Sequence, residues 1–260
     1  MSKDKKLFLV YSIYFFVLVV FVAFRILAGY GVLAGIENDY VHETISTGII
    51  QFFIMFALPL ALYFLFFKQK PKEAFKNLGF KKISFKIVLI SIGIGICAFV
   101  LNLFVANFFS VILEMFGYAP ESFGSSGGGL TYTTIPSFLF GILTVAIMPA
   151  LFEEFLHRGV LLKSTAKTMG YKWAIIFSSL CFGLMHLNVE QFFYATILGI
   201  LMGLIASMSD SIWPAVIVHF CNNFINIYLV FAEANSLPLG DIFSTLSLVA
   251  SHSFLLWILL

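Results

Sequence analysis

Long apolar runs recur along this chain, and its charged residues are gathered almost entirely in the gaps between them. A helix crossing a bilayer core needs roughly 20 mostly apolar residues, because the core is ~30 Å thick and a helix rises about 1.5 Å per residue. Eight segments meet or approach that length: 8–28, 47–67, 87–109, 135–156, 173–187, 192–208, 213–231 and 242–260. The composition leaves no soluble alternative. Of 260 residues, 61% are hydrophobic and 11% charged, against about 45–50% and about 25% in soluble domains. Water could not solvate the surplus apolar surface, to which Phe alone contributes 33 residues. The expected fold is all-α: a polytopic helical membrane protein of about eight transmembrane helices.

The charges orient it. With the N-terminus placed in the cytoplasm, 14 of the 15 basic residues fall on the inner side. They are Lys3, Lys5 and Lys6, then Lys68, Lys70, Lys72, Lys76, Lys81, Lys82 and Lys86, then Arg158, Lys163, Lys167 and Lys172, with only Arg25 towards the outer face. Such asymmetry fixes topology and puts both termini in the cytoplasm. A net charge of +2, spread over short loops, excludes nucleic acid as a partner. The basic loop 68–86 reads equally as a topology signal or as a contact for anionic lipid headgroups. Residues 1–6 are basic, but the apolar run after them is longer than a signal-peptide core and no clean cleavage site follows. We read that run as the first membrane helix. Cys97, Cys181 and Cys221 all sit in apolar segments and read as small hydrophobic residues. Residues 122–134, rich in Gly, Ser and Thr, read as a flexible outer loop. No internal repeat and no soluble domain is evident. The chain divides into helices 1–3 with their loops (1–134), a four-helix core (135–232) and a last helix (233–260).

Ionisable groups inside a membrane cost roughly 2.5–3.5 kcal/mol each on insertion scales, and those that persist are paired or functional. Three clusters of this kind occur. In the first, Glu153, Glu154, His157 and Arg158 follow a run broken by Pro149; Glu154 and Arg158 share one helix face, Glu153 and His157 the next. The second holds Phe182 and His186, four residues apart. His219 and Asn223 form the third, again one turn apart, with Asn222 and Asn226 on a neighbouring face. Each has a plainer reading: a helix ending at the membrane surface, a packing histidine, or polar side chains that glue helices together. A fourth stretch, Gly124-Ser125-Ser126-Gly127, matches the short pattern of rhomboid serine proteases but lies in the Gly-rich loop rather than at the head of a helix.

Depth argues that the three clusters meet. Counting helical rise from an inner boundary near Lys163, Lys172 and Trp213 puts Glu153 ~15 Å deep, His186 ~21 Å, His219 ~9 Å and Asn223 ~15 Å. These values bracket the midplane, and an ordinary tilt of about 20° absorbs much of the spread.

Together these residues resemble the CPBP intramembrane proteases, the CAAX-processing and bacteriocin-processing (Abi) group that includes Ras-converting enzymes. The shared pattern is Glu-Glu-x-x-x-Arg, then Phe-x-x-x-His, then His-x-x-x-Asn on successive membrane helices. Glu153, Glu154 and Arg158, Phe182 and His186, and His219 and Asn223 match it in order and spacing. His157 departs from it, standing where an aromatic residue is usual. The resemblance covers about 135–231 and leaves the first three helices generic. It implies an intramembrane endopeptidase of a bacterial plasma membrane, acting on a membrane-associated or prenylated peptide. Catalytic roles would fall to Glu153, Glu154, His186, His219 and Asn223, with Arg158, Phe182 and Asn222 in support. Glu153 would activate a water with help from His186, His219 and Asn223 would hold the oxyanion, and Glu154 would pair with Arg158.

A metal is open at this stage. His186, His219 and a glutamate could supply a two-His, one-carboxylate zinc set, as the name metalloprotease given to the family suggests, although the zincin signature is absent. A metal-free, glutamate-activated water is the favoured version. The alternative function is a non-catalytic membrane immunity or regulatory protein of the same family. A proton-relay transporter would be expected to carry inverted repeats, and none is found.

Overall fold

A computed structural model describes residues 2–118, 131–242 and 245. It contains the helices α1 (Lys3–Gly29), α2 (Asp39–Phe67), α3 (Pro71–Asn77), α4 (Phe85–Met115), α5 (Ile135–Leu184), α6 (Val189–Ser209) and α7 (Trp213–Ala234), with no strand among the described residues. All but the short α3 are long and apolar enough to cross a membrane. The protein is thus all-α and polytopic, as expected.

Polar side chains set where the helices begin. Ser2, Asn38, Ser84 and Asn188 each accept a hydrogen bond from the backbone N–H three residues on. Thr134 and Ser137 form a reciprocal capping box ahead of α5, with Pro136 in its first turn. Such caps satisfy donors that the first helical turn leaves orphaned.

The predicted segments 135–156 and 173–187 are two arms of α5. The chain breaks from helical geometry at Gly170, whose φ of 78° and ψ of 163° suit a residue without a Cβ. Phe182 on the second arm lies over the Arg158 guanidinium on the first, 4.6 Å from its ring centroid, so the arms run back along each other. The Gly124–Gly127 stretch and most of the predicted segment 242–260 lie outside the described residues.

Prolines shape the helices near the site. Wide, π-helical turns span Gly48–Ala57 and Ile142–Ile147, just ahead of Pro59 and Pro149. Proline has no N–H for the carbonyl four residues back and crowds it, and a widened turn relieves that clash. A third π-helical stretch, Phe155–Leu162, carries His157 and Arg158.

Small residues let the second arm of α5 and α6 approach closely. Ala174, Ser178, Ser179 and Gly183 are buried on one side, and Ala195, Gly199, Gly203 and Ala206 on the other, the small-xxx-small device of membrane helices. Large apolar residues such as Phe8, Phe15 and Phe85 point outward, where lipid and not water is their solvent.

Three chain reversals are tied together at one end of the bundle. Asp210, in the left-handed region (φ 50°) after α6, pairs with both Lys81 and Lys163. Ile212 N–H donates to the Gly79 carbonyl at 3.0 Å, and Ser211 Oγ to the Lys81 carbonyl at 2.8 Å. Two of the basic residues counted as loop charges are buried: Lys163, at the tied end, is 6% exposed, and Arg158, within the bundle, is 0% exposed.

Candidate functional site

The first arm of α5 supplies an ion pair buried on both sides. Arg158 Nη1 donates to Glu154 Oε1 at 2.8 Å, one helical turn back, and both side chains are 0% exposed. A second donor reaches the same oxygen from α7, with His219 Nδ1 3.0 Å away. The acceptor is a carboxylate, so Nδ1 carries the proton and Nε2 faces elsewhere. The other guanidinium arm, Nη2, donates to the Gly199 carbonyl on α6 at 2.9 Å. Gly199 makes room for this: a Cβ there would lie 3.3 Å from Arg158 Nη2 and 3.1 Å from Ser179 Cβ. One carboxylate thus couples three helices through charge-assisted hydrogen bonds, which are strong where water is excluded.

Phe182 is the hub around which the histidines gather. Its ring centroid lies 5.1 Å from His186, 5.1 Å from His157 and 5.7 Å from His219, each edge-on, while Arg158 covers its face. His186 Nδ1 sits 3.0 Å from the Phe182 carbonyl. A carbonyl can only accept, so in the neutral ring Nδ1 is protonated and the free lone pair is on Nε2. His157, the departure from the resembled pattern, is wholly buried. Its Nδ1 donates to the Glu153 carbonyl at 2.8 Å, and its ring packs edge-on against Tyr14 at 5.8 Å. Tyr14 in turn donates to the Cys181 carbonyl at 2.9 Å, tying α1 to the site.

Glu153 is only half-buried and does not share the Glu154 pair. Its Oε1 accepts from Gln51 Nε2, on the π-helical part of α2, at 2.8 Å. Gln51 is the partner that sequence reasoning missed. It lies in a segment read as generic, and a single amide there gives no periodic signal. The weak clue is a polar residue amid apolar neighbours just before Pro59. Gln51 is itself buried, and its Oε1 has no hydrogen-bond partner.

An asparagine relay ends on α5. Asn102 Nδ2 donates to Asn222 Oδ1 at 2.9 Å, Asn222 Nδ2 to Asn223 Oδ1 at 3.0 Å, and Asn223 Nδ2 to the Val145 carbonyl at 2.8 Å. Val145 is the residue whose carbonyl Pro149 cannot serve, so the proline creates the acceptor that Asn223 uses. One Asn223 amide hydrogen is spent there and a second is left.

The donors do not converge as a zinc site requires. Four ligands at about 2.0–2.3 Å, at least three of them from protein, hold a catalytic zinc. Among the described residues no three His, Cys, Asp or Glu side chains gather closely enough to hold an ion. His219 Nδ1 is committed to Glu154 and His186 Nδ1 to a carbonyl. The residues present therefore do not fit the metal, and no chemical step is routed through one.

No curated protein matches the chain. A family model does match, over residues 134–225, from the capping residue of α5 to the middle of α7. That interval holds both glutamates, Arg158, Phe182, His186, His219, Asn222 and Asn223, and it leaves out Tyr14, Gln51 and Asn102. Over this segment the chain is similar to the Rce1-like family, described as type II CAAX prenyl endopeptidase Rce1-like.

Proposed function

We propose that the protein is an intramembrane endopeptidase that hydrolyses a peptide bond of a membrane-associated or prenylated peptide by a glutamate-activated, metal-free route. The observation that carries this reading is the gathering of polar groups from both arms of α5 and from α7 around Phe182, with Glu153 held beside them by Gln51.

Glu153 is the general base. Its carboxylate takes a proton from water, and the hydroxide attacks the scissile carbonyl carbon; His186 Nε2, with its free lone pair, orients that water. The carbonyl oxygen becomes the oxyanion and accepts from His219 Nε2–H and from the second amide hydrogen of Asn223. Donors aimed at developing charge in a dry site are the largest single contribution to many such reactions. With Nδ1–H facing Glu154, donation from Nε2 needs the second ring proton, and the developing oxyanion supplies the negative charge that Glu154, already paired with Arg158, does not. The proton taken by Glu153 passes to the leaving amine as the C–N bond breaks. Gln51 fixes the rotamer of Glu153, while Arg158 and Phe182 fix Glu154 and the imidazoles. Residues 135–232 form the catalytic core, and 1–134 and 233–260 flank it. The end of the bundle carrying Asp210 and the lysines faces a bacterial cytoplasm, a reading supported by the basic residues gathered there.

The test is cleavage of a farnesylated peptide by the full chain in detergent or nanodiscs. Glu153→Gln and His186→Ala should each cut turnover, the former by about 10²-fold or more, while leaving the protein folded. Undiminished cleavage by Glu153→Gln sinks the mechanism. Loss of activity on chelation, restored by zinc, overturns the metal-free version.

A further inference from the structure

The tied end of the bundle holds a second polar feature, away from the histidine cluster. A pocket of about 220 Å³ is lined by Lys76, Asn77, Lys81, Lys163, Lys167, Tyr171 and Asp210. Four ammonium groups face one carboxylate there. Asp210 is shared by Lys81 and Lys163. Lys76 and Lys167 have no hydrogen-bond or ion-pair partner among the described residues. The lining therefore carries an excess of three positive charges, and its neutral members, an amide and a phenol, can both donate hydrogen bonds.

The pocket is built into the fold. Lys163 is only 6% exposed. Its stem passes over Gly79, where an added Cβ would come within 2.9 Å of Lys163 Cε and where φ is +90°. A side chain at Gly79 would displace the lysine, so glycine there keeps one wall of the pocket in place. The wall spans three stretches of chain: the end of α3, the reversal of α5 around Gly170, and the turn between α6 and α7.

Its surroundings place it at a membrane surface. Tyr171 on its rim, Trp173 with Lys172 over its ring, and Met208 are all exposed. Aromatic residues and lysines mixed at the ends of spanning helices mark the headgroup layer.

We propose that this pocket binds the phosphate of an anionic membrane lipid. Lys76 and Lys167 engage the phosphate oxygens, the Tyr171 hydroxyl and Asn77 amide donate beside them, and the acyl chains run along the apolar faces below. Asp210 keeps Lys81 and Lys163 in position and excludes a second anion. The same chemistry would suit soluble phosphate, but an opening at helix ends beside exposed Trp173 and Met208 favours a ligand already in the bilayer. The site is independent of peptide cleavage.

The experiment measures retained lipid by native mass spectrometry of the full chain, exchanged into mixed phosphatidylglycerol and phosphatidylcholine. Wild type and the double variant Lys76→Gln/Lys167→Gln are compared, with inorganic phosphate as a separate arm in a thermal-shift assay. Both substituted side chains are exposed and unpaired, so folding is preserved. We expect wild type to retain phosphatidylglycerol preferentially, and the preference to fall roughly tenfold or more in the double variant, since each lysine near the surface contributes to anionic-lipid attraction. Inorganic phosphate should neither stabilise the protein nor displace the lipid at millimolar concentration. Equal retention of both lipids by wild type, or a preference that survives the double substitution, overturns the proposal. Stabilisation by inorganic phosphate that is lost in the double variant, without lipid preference, overturns the lipid assignment in favour of a soluble anion.

Discussion

Two regions of the molecule pair acid with base, and they do so under opposite conditions. Within the bundle, Arg158 and Glu154 are both 0% exposed and hydrogen-bond to each other, to His219 and to the Gly199 carbonyl. At its tied end, Lys81 and Asp210 are 37% and 56% exposed in their side chains. The Coulomb energy of a contact pair is ~1 kcal/mol in water and several-fold larger at the effective dielectric of a protein. The desolvation cost rises in parallel, so a buried pair is worth little in net stability, yet removing one partner is severe because a bare charge remains. An exposed pair has neither the cost nor the consequence. The interior pair therefore acts as a positional device, holding His219 and the carboxylate in register, and the surface cluster as a pliable one.

The largest effect should follow from breaking the interior pair on one side. Arg158→Met removes the guanidinium from the buried Glu154, leaving that carboxylate only its His219 contact, and frees the Gly199 carbonyl. It should destabilise the protein by about 3–5 kcal/mol, read as a fall in the thermal unfolding midpoint in detergent and as lost activity. Replacing both partners, as in Glu154→Met with Arg158→Met, should restore much of the stability and none of the activity. Recovery of cleavage in the double variant would show that the pair does not position the site.

Next in size is Glu153→Gln, whose effect should appear in turnover alone. Glu153 is half-buried and outside the ion pair, so its amide isostere costs little stability. General-base catalysis is worth about 10²–10⁴-fold, and kcat should drop by at least the lower figure with the unfolding midpoint nearly unchanged. Gln51→Leu should cost less, roughly tenfold, because it removes only the hydrogen bond that orients Glu153, the proposed base. That loss should fall on kcat with KM unchanged. A change confined to KM would mean that Gln51 contacts substrate instead.

The contrast between the two regions also explains what could be read from the sequence. Apolar runs announce the spanning helices, because a bilayer demands continuous apolar length. Glu154 with Arg158, Phe182 with His186, and His219 with Asn223 were legible because each lies one helical turn apart on one helix, so spacing alone puts them on one face. Interactions between helices left no such trace. That Glu154 serves His219 as well as Arg158, that Gln51 reaches Glu153, and that Asn102 feeds the asparagine relay depends on helix rotation and tilt, which periodicity does not set. The counting of Arg158 as a loop charge failed for a related reason. Charge tallies treat every arginine alike, whereas burial depends on the carboxylate one turn away and on the Gly199 carbonyl across the interface. The hairpin at Gly170 lay between two basic residues and read as an ordinary loop.

The smallest effect belongs to the surface cluster, and there Asp210 separates its two lysines. Hydrogen bonds from Lys163 and then Lys81 hold its carboxyl below the ordinary carboxylate value of 3.8. A depressed folded value contributes stability that is present above the unfolded pKa and lost as pH falls through the folded one. The advantage of wild type over Asp210→Asn should therefore be constant above about pH 5 and shrink below pH 4. At neutral pH it should amount to no more than about 1 kcal/mol, because the carboxylate is largely exposed to water. Lys81→Gln should cost less still, since an exposed ammonium loses little when its partner goes. Lys163→Gln should cost more than Lys81→Gln, because its side chain is nearly buried against Gly79 and its stem carries packing as well as charge. Unfolding midpoints of the three variants at pH 7 and pH 4 give the order directly. Equal effects at Lys81 and Lys163 would mean that burial does not distinguish the two ends of this shared pair.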